Sequence, residues 1–200
     1  MKESRLFELL KAYQLKIATA ESCTGGLVAS LVCDISGISS YFEEGYVTYS
    51  ENAKMKNLEV SKETLEKYGV VSKETAVEMA RGAAKRANAA CAIATTGVAG
   101  PTGGTKENPV GTVCFGCVVN GQEFSERRVF EGNRREVRMQ AAAFALDFLC
   151  DKIAACYENE MKNKENAYAY YCWNSSKSSA SRTGGTGYQT NFGSDQRDII

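Results

Sequence analysis

Along residues 1–156 the sequence switches repeatedly between two periods, and this alternation restricts the fold more than any other feature. Short β-rich runs alternate with stretches whose apolar residues recur at helical spacing. Ser4–Tyr13 carries Leu6, Leu9, Leu10 and Tyr13 at that spacing and predicts a helix. Lys16–Ala20 predicts a short strand. Ser22–Asp34 reads as a helix with Leu27, Val28, Leu31 and Val32 in one stripe. Gly45–Ser50 is rich in β-formers and predicts a second strand, and Asn52–Leu58 a short helix. Lys62–Tyr68 and Ser72–Ala87 predict two further helices. Ala76, Ala80, Ala83, Ala84 and Ala87 share one face of the longer helix, which allows close packing on a sheet. Ala90–Thr95 reads as a buried strand. Thr112–Val119 and Glu123–Phe130 predict a hairpin around Asn120-Gly121, a type I′ turn signal. Asn133-Arg-Arg-Glu136 has the form of a capping box and opens a last helix to about residue 155. Together these elements predict an α/β protein: a three-layer α/β/α domain with a mixed, largely parallel sheet and an antiparallel edge.

The pattern stops near residue 156. Residues 157–200 contain no Leu and no Val and are rich in Ser, Gly, Asn and Thr. Such a segment buries too little apolar surface to offset its ordering entropy. Two parts follow: a domain over 1–156 and a low-complexity tail over 157–200, expected to be disordered. Lys plus Arg equals Asp plus Glu, 24 each, so the whole chain shows no basic nucleic-acid footprint. No apolar run reaches the ~18 residues of a membrane-spanning helix. Residues 1–14 have no signal-peptide layout. A cytoplasmic protein with neither membrane nor nucleic acid as partner is expected.

The chain has no His. A Ser-His-Asp triad, a Cys-His pair and a His-ligated metal are therefore excluded within one chain. Acid–base chemistry must use Lys, Tyr, Asp, Glu or Cys. There are eight Cys, and without a secretion signal reduced thiols are the default. Cys114 and Cys117 lie within a predicted strand, so their odd separation points them to opposite faces. They read as packing residues rather than as a zinc or redox pair.

Four segments have residues suited to chemistry. Ala20-Glu21-Ser22-Cys23-Thr24-Gly25-Gly26 leaves a strand and opens a helix, where free amides bind anions or a developing oxyanion. Alternatively, Ser22 or Thr24 is a plain N-cap. Tyr49 and Lys54 follow the second strand, and a Lys of lowered pKa can activate a Ser nucleophile without His. Alternatively, Tyr49 is a half-buried strand residue and Lys54 a solvated one. Thr96-Gly97-Val98-Ala99-Gly100-Pro101 with Gly103-Gly104 forms a turn-rich loop suited to close contact with a phosphate or sugar, or a long structural loop. Arg134 and Arg138 at a helix start, beside free amides, form a phosphate clamp or a solvated charged turn.

These segments, with Val47-Thr-Tyr-Ser50, Asn52-Ala-Lys54, Pro109-Val-Gly-Thr112 and Gly132-Asn-Arg134, resemble the CinA C-terminal domain family from about residue 4 to 152. The resemblance implies a dimeric α/β/α amidase. It would deamidate nicotinamide mononucleotide to nicotinic acid mononucleotide and ammonia, in pyridine-nucleotide recycling, with neither metal nor other cofactor. It puts the nucleophile on Ser22, with Tyr49 and Lys54 as the other catalytic residues. Amides near Cys23, Thr24, Gly25 and Gly26 are expected to hold the oxyanion. Thr96, Gly97, Ala99, Gly100, Gly103 and Gly104 are expected at the substrate, and Arg134 or Arg138 at its phosphate. A catalytically silent partner-binding module, acting in competence or DNA damage, is the other reading the resemblance allows.

Overall fold

A computed structural model describes residues 2–180, with side chains from 5 to 158. Contacts group Met1–Tyr157 as one unit and Glu158–Ile200 as another, and the fold below is that of the first. In chain order the elements are α1 (Lys2–Tyr13), β1 (Ile17–Glu21), α2 (Leu27–Cys33), β2 (Phe42–Val47), α3 (Glu51–Leu58), α4 (Lys62–Tyr68), α5 (Lys73–Arg86), β3 (Cys91–Gly97), β4 (Thr112–Val119), β5 (Gln122–Val129) and α6 (Arg134–Ala180). The five strands form one sheet in the order β2-β1-β3-β4-β5.

The sheet is mixed, as expected. Its parallel share is half rather than the larger part: β1 runs parallel to β2 and β3, while β4 is antiparallel to β3 and β5. Strand alternation sorts the core into two clusters, one on each face. Ile17, Cys91, Ile93, Phe115 and Cys117 meet α1, α2 and α6 through Leu6, Leu10, Val28, Val137 and Leu149. Ala18, Ala20, Ala92 and Ala94 meet α5 and α3 through Met79, Ala80, Ala83 and Leu58. Small residues on both sides of the second interface bring α5 close to the strands. A Cβ added at Gly116 would stand 2.0 Å from the Ala76 carbonyl oxygen.

The local signals hold where they concern short-range geometry. Asn120 and Gly121 both have positive φ, 48° and 79°, as the β4–β5 turn requires. The Asn133 amide donates to the Glu136 carboxylate at 2.8 Å, and the Glu136 amide donates back to Asn133 Oδ1 at 3.1 Å. Cys114 and Cys117 are both buried, and the described cysteines are free thiols. α6 runs past the helix end near 155 to Ala180, while residues 181–200 of the predicted tail lie outside the described residues. No helix of the described residues is long and apolar enough to cross a membrane.

β2 begins at Phe42, earlier than the expected Gly45, and two further boundaries differ from the periodicity at the C-terminal ends of parallel strands. α2 starts at Leu27, not at Ser22. Gly25 and Gly26 take left-handed φ values of 59° and 97°, so residues 22–26 form a turn instead of helix. β2 ends at Val47, not at Ser50, because Ser50 caps α3 by accepting from the Ala53 amide at 3.1 Å.

Candidate active site

The turn after β1 and the start of α3 bring Ser22 and Lys54 together. Lys54 Nζ lies 2.9 Å from Ser22 Oγ. Lys54 is 1 % exposed and Ser22 8 %. Nζ also donates to the carbonyl oxygens of Thr48 at 2.8 Å and Tyr49 at 3.5 Å. Burial pulls the Lys54 ammonium below its ordinary value of 10.5; Cys23 and Glu51 push weakly the other way. In the neutral amine, two hydrogens serve the two carbonyls, and the lone pair is left for the Ser22 hydroxyl proton.

The turn itself is held at several points. The Ser22 amide donates to Thr95 O at 2.9 Å, and the hydroxyls of Thr24 and Thr95 are 2.7 Å apart. Neither Ser22 nor Thr24 caps α2. That role belongs to Glu21, whose buried carboxylate accepts from the amides of Gly26 (2.9 Å), Val28 (3.0 Å) and Ala29 (2.8 Å). Gly26 is therefore not an oxyanion donor, because its amide is already used. No hydrogen bond of the described residues uses the amides of Thr24 or Gly25, while the Cys23 amide faces its own thiol. The Cys23 thiol is 5 % exposed, and burial pushes it up to about 12.

A cavity of about 310 Å³ opens over the Ser22–Lys54 pair, walled by Cys23, Tyr49, Ser50, Glu51, Val70, Val71, Thr96 and Gly97. Thr96 fixes its far wall by donating to Val70 O at 2.7 Å. Gly97 admits no side chain, since a Cβ would meet Thr112 O at 2.4 Å. A larger cavity, about 790 Å³, has Leu27, Ala99, Pro101, Val110, Arg134, Arg135, Arg138 and Met139 in its walls. Tyr49 of the first is bonded to Arg134 of the second, whose Nη2 donates to the Tyr49 hydroxyl at 3.0 Å. Arg134 Nη1 donates to Gly100 O at 2.9 Å, which ties the glycine loop to α6.

Several expected site residues stand differently from their expected roles. The Tyr49 hydroxyl pairs with Arg134 and not with Ser22 or Lys54; Tyr49 reaches the pair through its backbone carbonyl. Thr24, Gly25, Gly26, Gly100, Gly103 and Gly104 are in the walls of neither cavity, and a Cβ at Gly104 would stand 2.8 Å from the Val110 amide, so that part of the loop packs on itself. The Arg135 and Glu136 amides at the start of α6 are not free for phosphate, because Asn133 Oδ1 accepts from both, at 2.9 Å and 3.1 Å. Arg138 is committed to the nucleophile turn: Nε donates to Cys23 O at 3.1 Å and Nη2 to Thr24 O at 2.6 Å. Glu21, the Thr48 carbonyl and Val70-Val71 were not among the expected site residues. Only Glu21 left a signal, a carboxylate ending an apolar strand. No group of three or more Cys, Asp or Glu among the described residues is arranged to hold a metal.

Residues 1–153 match the family model described as the CinA C-terminal domain. A CinA-like protein of Kosmotoga olearia is 51 % identical over 147 residues, 74 % of this chain and 36 % of that protein. A Clostridioides difficile protein named as competence-damage inducible is also 51 % identical, over 74 % of this chain and 35 % of its own length. The chain thus spans about a third of the length of these curated relatives. A CinA superfamily structure from Escherichia coli superposes with a TM-score of 0.71 at 43 % identity, covering 73 % of this chain and 85 % of that one. One from Klebsiella pneumoniae gives 0.74 at 38 % identity, covering 77 % and 96 %. Matched along most of the first unit in both sequence and fold, the chain belongs to the CinA C-terminal domain family.

Proposed function

We propose that the protein is a serine amidohydrolase that deamidates nicotinamide mononucleotide, using Lys54 as the base for Ser22. The observation that carries this reading is the buried Lys54 Nζ, 2.9 Å from Ser22 Oγ, with its charge disfavoured by burial. A solvated lysine is protonated at neutral pH and cannot accept a proton; one whose charge is disfavoured by burial can. Ser22 Oγ attacks the carboxamide carbon, and Lys54 takes its proton. Amides of the 23–25 turn stabilise the oxyanion. Lys54 returns the proton to nitrogen, the C–N bond breaks and ammonia leaves. Water, deprotonated by the same amine, then cleaves the acyl-enzyme. The cavity walled by Arg134 suits the ribose phosphate, with Arg134 as its cation: it gives one hydrogen bond to the Gly100 carbonyl and one to the exposed Tyr49 side chain, whereas Arg138 is held by two carbonyls of the nucleophile turn.

The test is ammonia release from nicotinamide mononucleotide, with and without chelator, for wild type, Ser22→Ala and Lys54→Met. Chelator-insensitive release that both variants lose is the expected result. A folded wild type that releases none would return the reading to a catalytically silent partner-binding module.

A further inference from the structure

The serine amidohydrolase reading leaves open what holds the oxyanion donors in place. The turn from Ser22 to Gly26 is gripped from two sides. On one side Glu21 takes the amides that follow the turn, those of Gly26, Val28 and Ala29. On the other, Arg138 reaches from the first turns of α6 and takes two successive carbonyls, those of Cys23 and Thr24. The two residues are separated from their targets very differently: Glu21 by five to eight positions, Arg138 by 114 and 115.

Arg138 acts on the orientation of two peptide units. Both are trans, as the sole cis bond of the described residues is Gly100–Pro101. In a trans peptide the C=O and N–H vectors point in opposite directions. A carbonyl fixed toward the guanidinium therefore turns the amide of the same unit away from it. The Cys23 carbonyl fixes the Thr24 amide, and the Thr24 carbonyl fixes the Gly25 amide. These are the amides in the turn that no described hydrogen bond uses. The guanidinium fork suits the task, because two adjacent N–H groups reach two adjacent oxygens at once. Gly25 accommodates it: a Cβ there would lie 3.2 Å from Arg138 Nη2, at a φ of 59°.

We propose that Arg138 is a positioning residue that sets the amides of Thr24 and Gly25 as the oxyanion donors for Ser22, and that it is not a phosphate ligand. The inference rests on the amidohydrolase reading. Its signature is a loss in the chemical step without a matching loss in substrate binding.

The experiment uses the full chain as wild type, Arg138→Lys, Arg138→Met and Ser22→Ala. It measures ammonia release from nicotinamide mononucleotide and, separately, the rate at which a fluorophosphonate labels Ser22. In labelling, an Oγ–P bond forms, the P–F bond breaks, fluoride leaves and Lys54 takes the hydroxyl proton, so it too needs the oxyanion donors. Arg138→Met is expected to lower kcat by about 10²-fold, the scale of losing an oxyanion donor. KM should move by less than about threefold, because uniform binding is untouched. Labelling should slow in parallel, millimolar guanidinium should restore part of both rates, and Arg138→Lys should fall between. Three outcomes would overturn the inference: unchanged kcat and labelling; a raised KM at unchanged kcat, which would make Arg138 a phosphate ligand; or losses that neither guanidinium nor the Lys variant relieves. A wild type that neither releases ammonia nor labels at Ser22, while matching Ser22→Ala, would instead remove the amidohydrolase reading.

Discussion

The Tyr49 hydroxyl and the Arg134 guanidinium are hydrogen-bonded at 3.0 Å, linking a wall of the smaller cavity to a wall of the larger. Tyr49 is 61 % exposed, and its ring stands outside the buried Ser22–Lys54 pair. Its backbone carbonyl, not its phenol, reaches Lys54. Tyr49→Phe keeps that carbonyl and removes only an acceptor for Arg134. The expected loss in kcat is under about tenfold, against roughly 10²–10⁴-fold for Lys54→Met, which removes the base. Steady-state kinetics on both variants decide it. Equal losses would make the phenol a catalytic group on a par with Lys54.

Lys54 predicts two pH dependences with one origin. Its folded value is lowered by burial, so only the neutral amine accepts the Ser22 proton. The rate of amide hydrolysis should rise with pH through that lowered value and then level. Stability follows from proton counting. The unfolded chain holds the lysine proton up to about pH 10.4. Between the folded and unfolded values it binds more protons than the native state, so native stability rises with pH across that window. Lys54→Met lacks this contribution. The wild-type minus variant difference in urea-unfolding free energy should therefore increase with pH up to about 10.4 and then flatten. A difference that stays level with pH would show that Lys54 titrates alike in both states.

Period and turn chemistry made much of this fold legible in advance. β3, β4, β5 and α5 carry their spacing in their own side chains, and Asn120-Gly121 and Asn133–Glu136 are local devices. Two of the misread boundaries lie at residues 22–26 and 48–50, where distant partners decide. Periodicity cannot report that Glu21 occupies the α2 amides, or that Ser22 pairs with Thr95. The Ser22–Lys54 pair was legible from the absence of His together with the family motifs. The role of Arg138 was not, since its contacts span more than 110 positions and a charged residue on a helix reads as solvated.

Gly116 and Gly121 separate packing from backbone strain. A Cβ at Gly116 would stand 2.0 Å from Ala76 O and 2.5 Å from the Val77 amide, so α5 must move off the sheet. Gly116→Ala should lose about 1–3 kcal/mol, the usual penalty of overpacking. Gly121 has open space around it but a φ of 79°. Gly121→Ala should lose about 1 kcal/mol from left-handed strain alone. Thermal unfolding of both should rank Gly116→Ala lower. The reverse ranking would mean that α5 rides on the sheet with room to spare.

Cys23 sits beside the nucleophile and needs to be told apart from it. Burial holds its thiol at about 12. Five units above neutrality, only about one molecule in 10⁵ carries a thiolate, and the thiolate is the reactive form. Its backbone serves the turn whatever its side chain. Cys23→Ala should therefore keep amide hydrolysis within about tenfold of wild type, whereas Ser22→Ala should abolish it. Alkylation gives the complementary readout. Cys33 is the exposed thiol among the described cysteines and should take iodoacetamide first. In a Cys172→Ser background, labelling of Cys33 should go to completion at pH 7 with hydrolysis intact. Activity lost in step with labelling of Cys23 would assign the attack to sulfur, and with it the proton that Lys54 accepts.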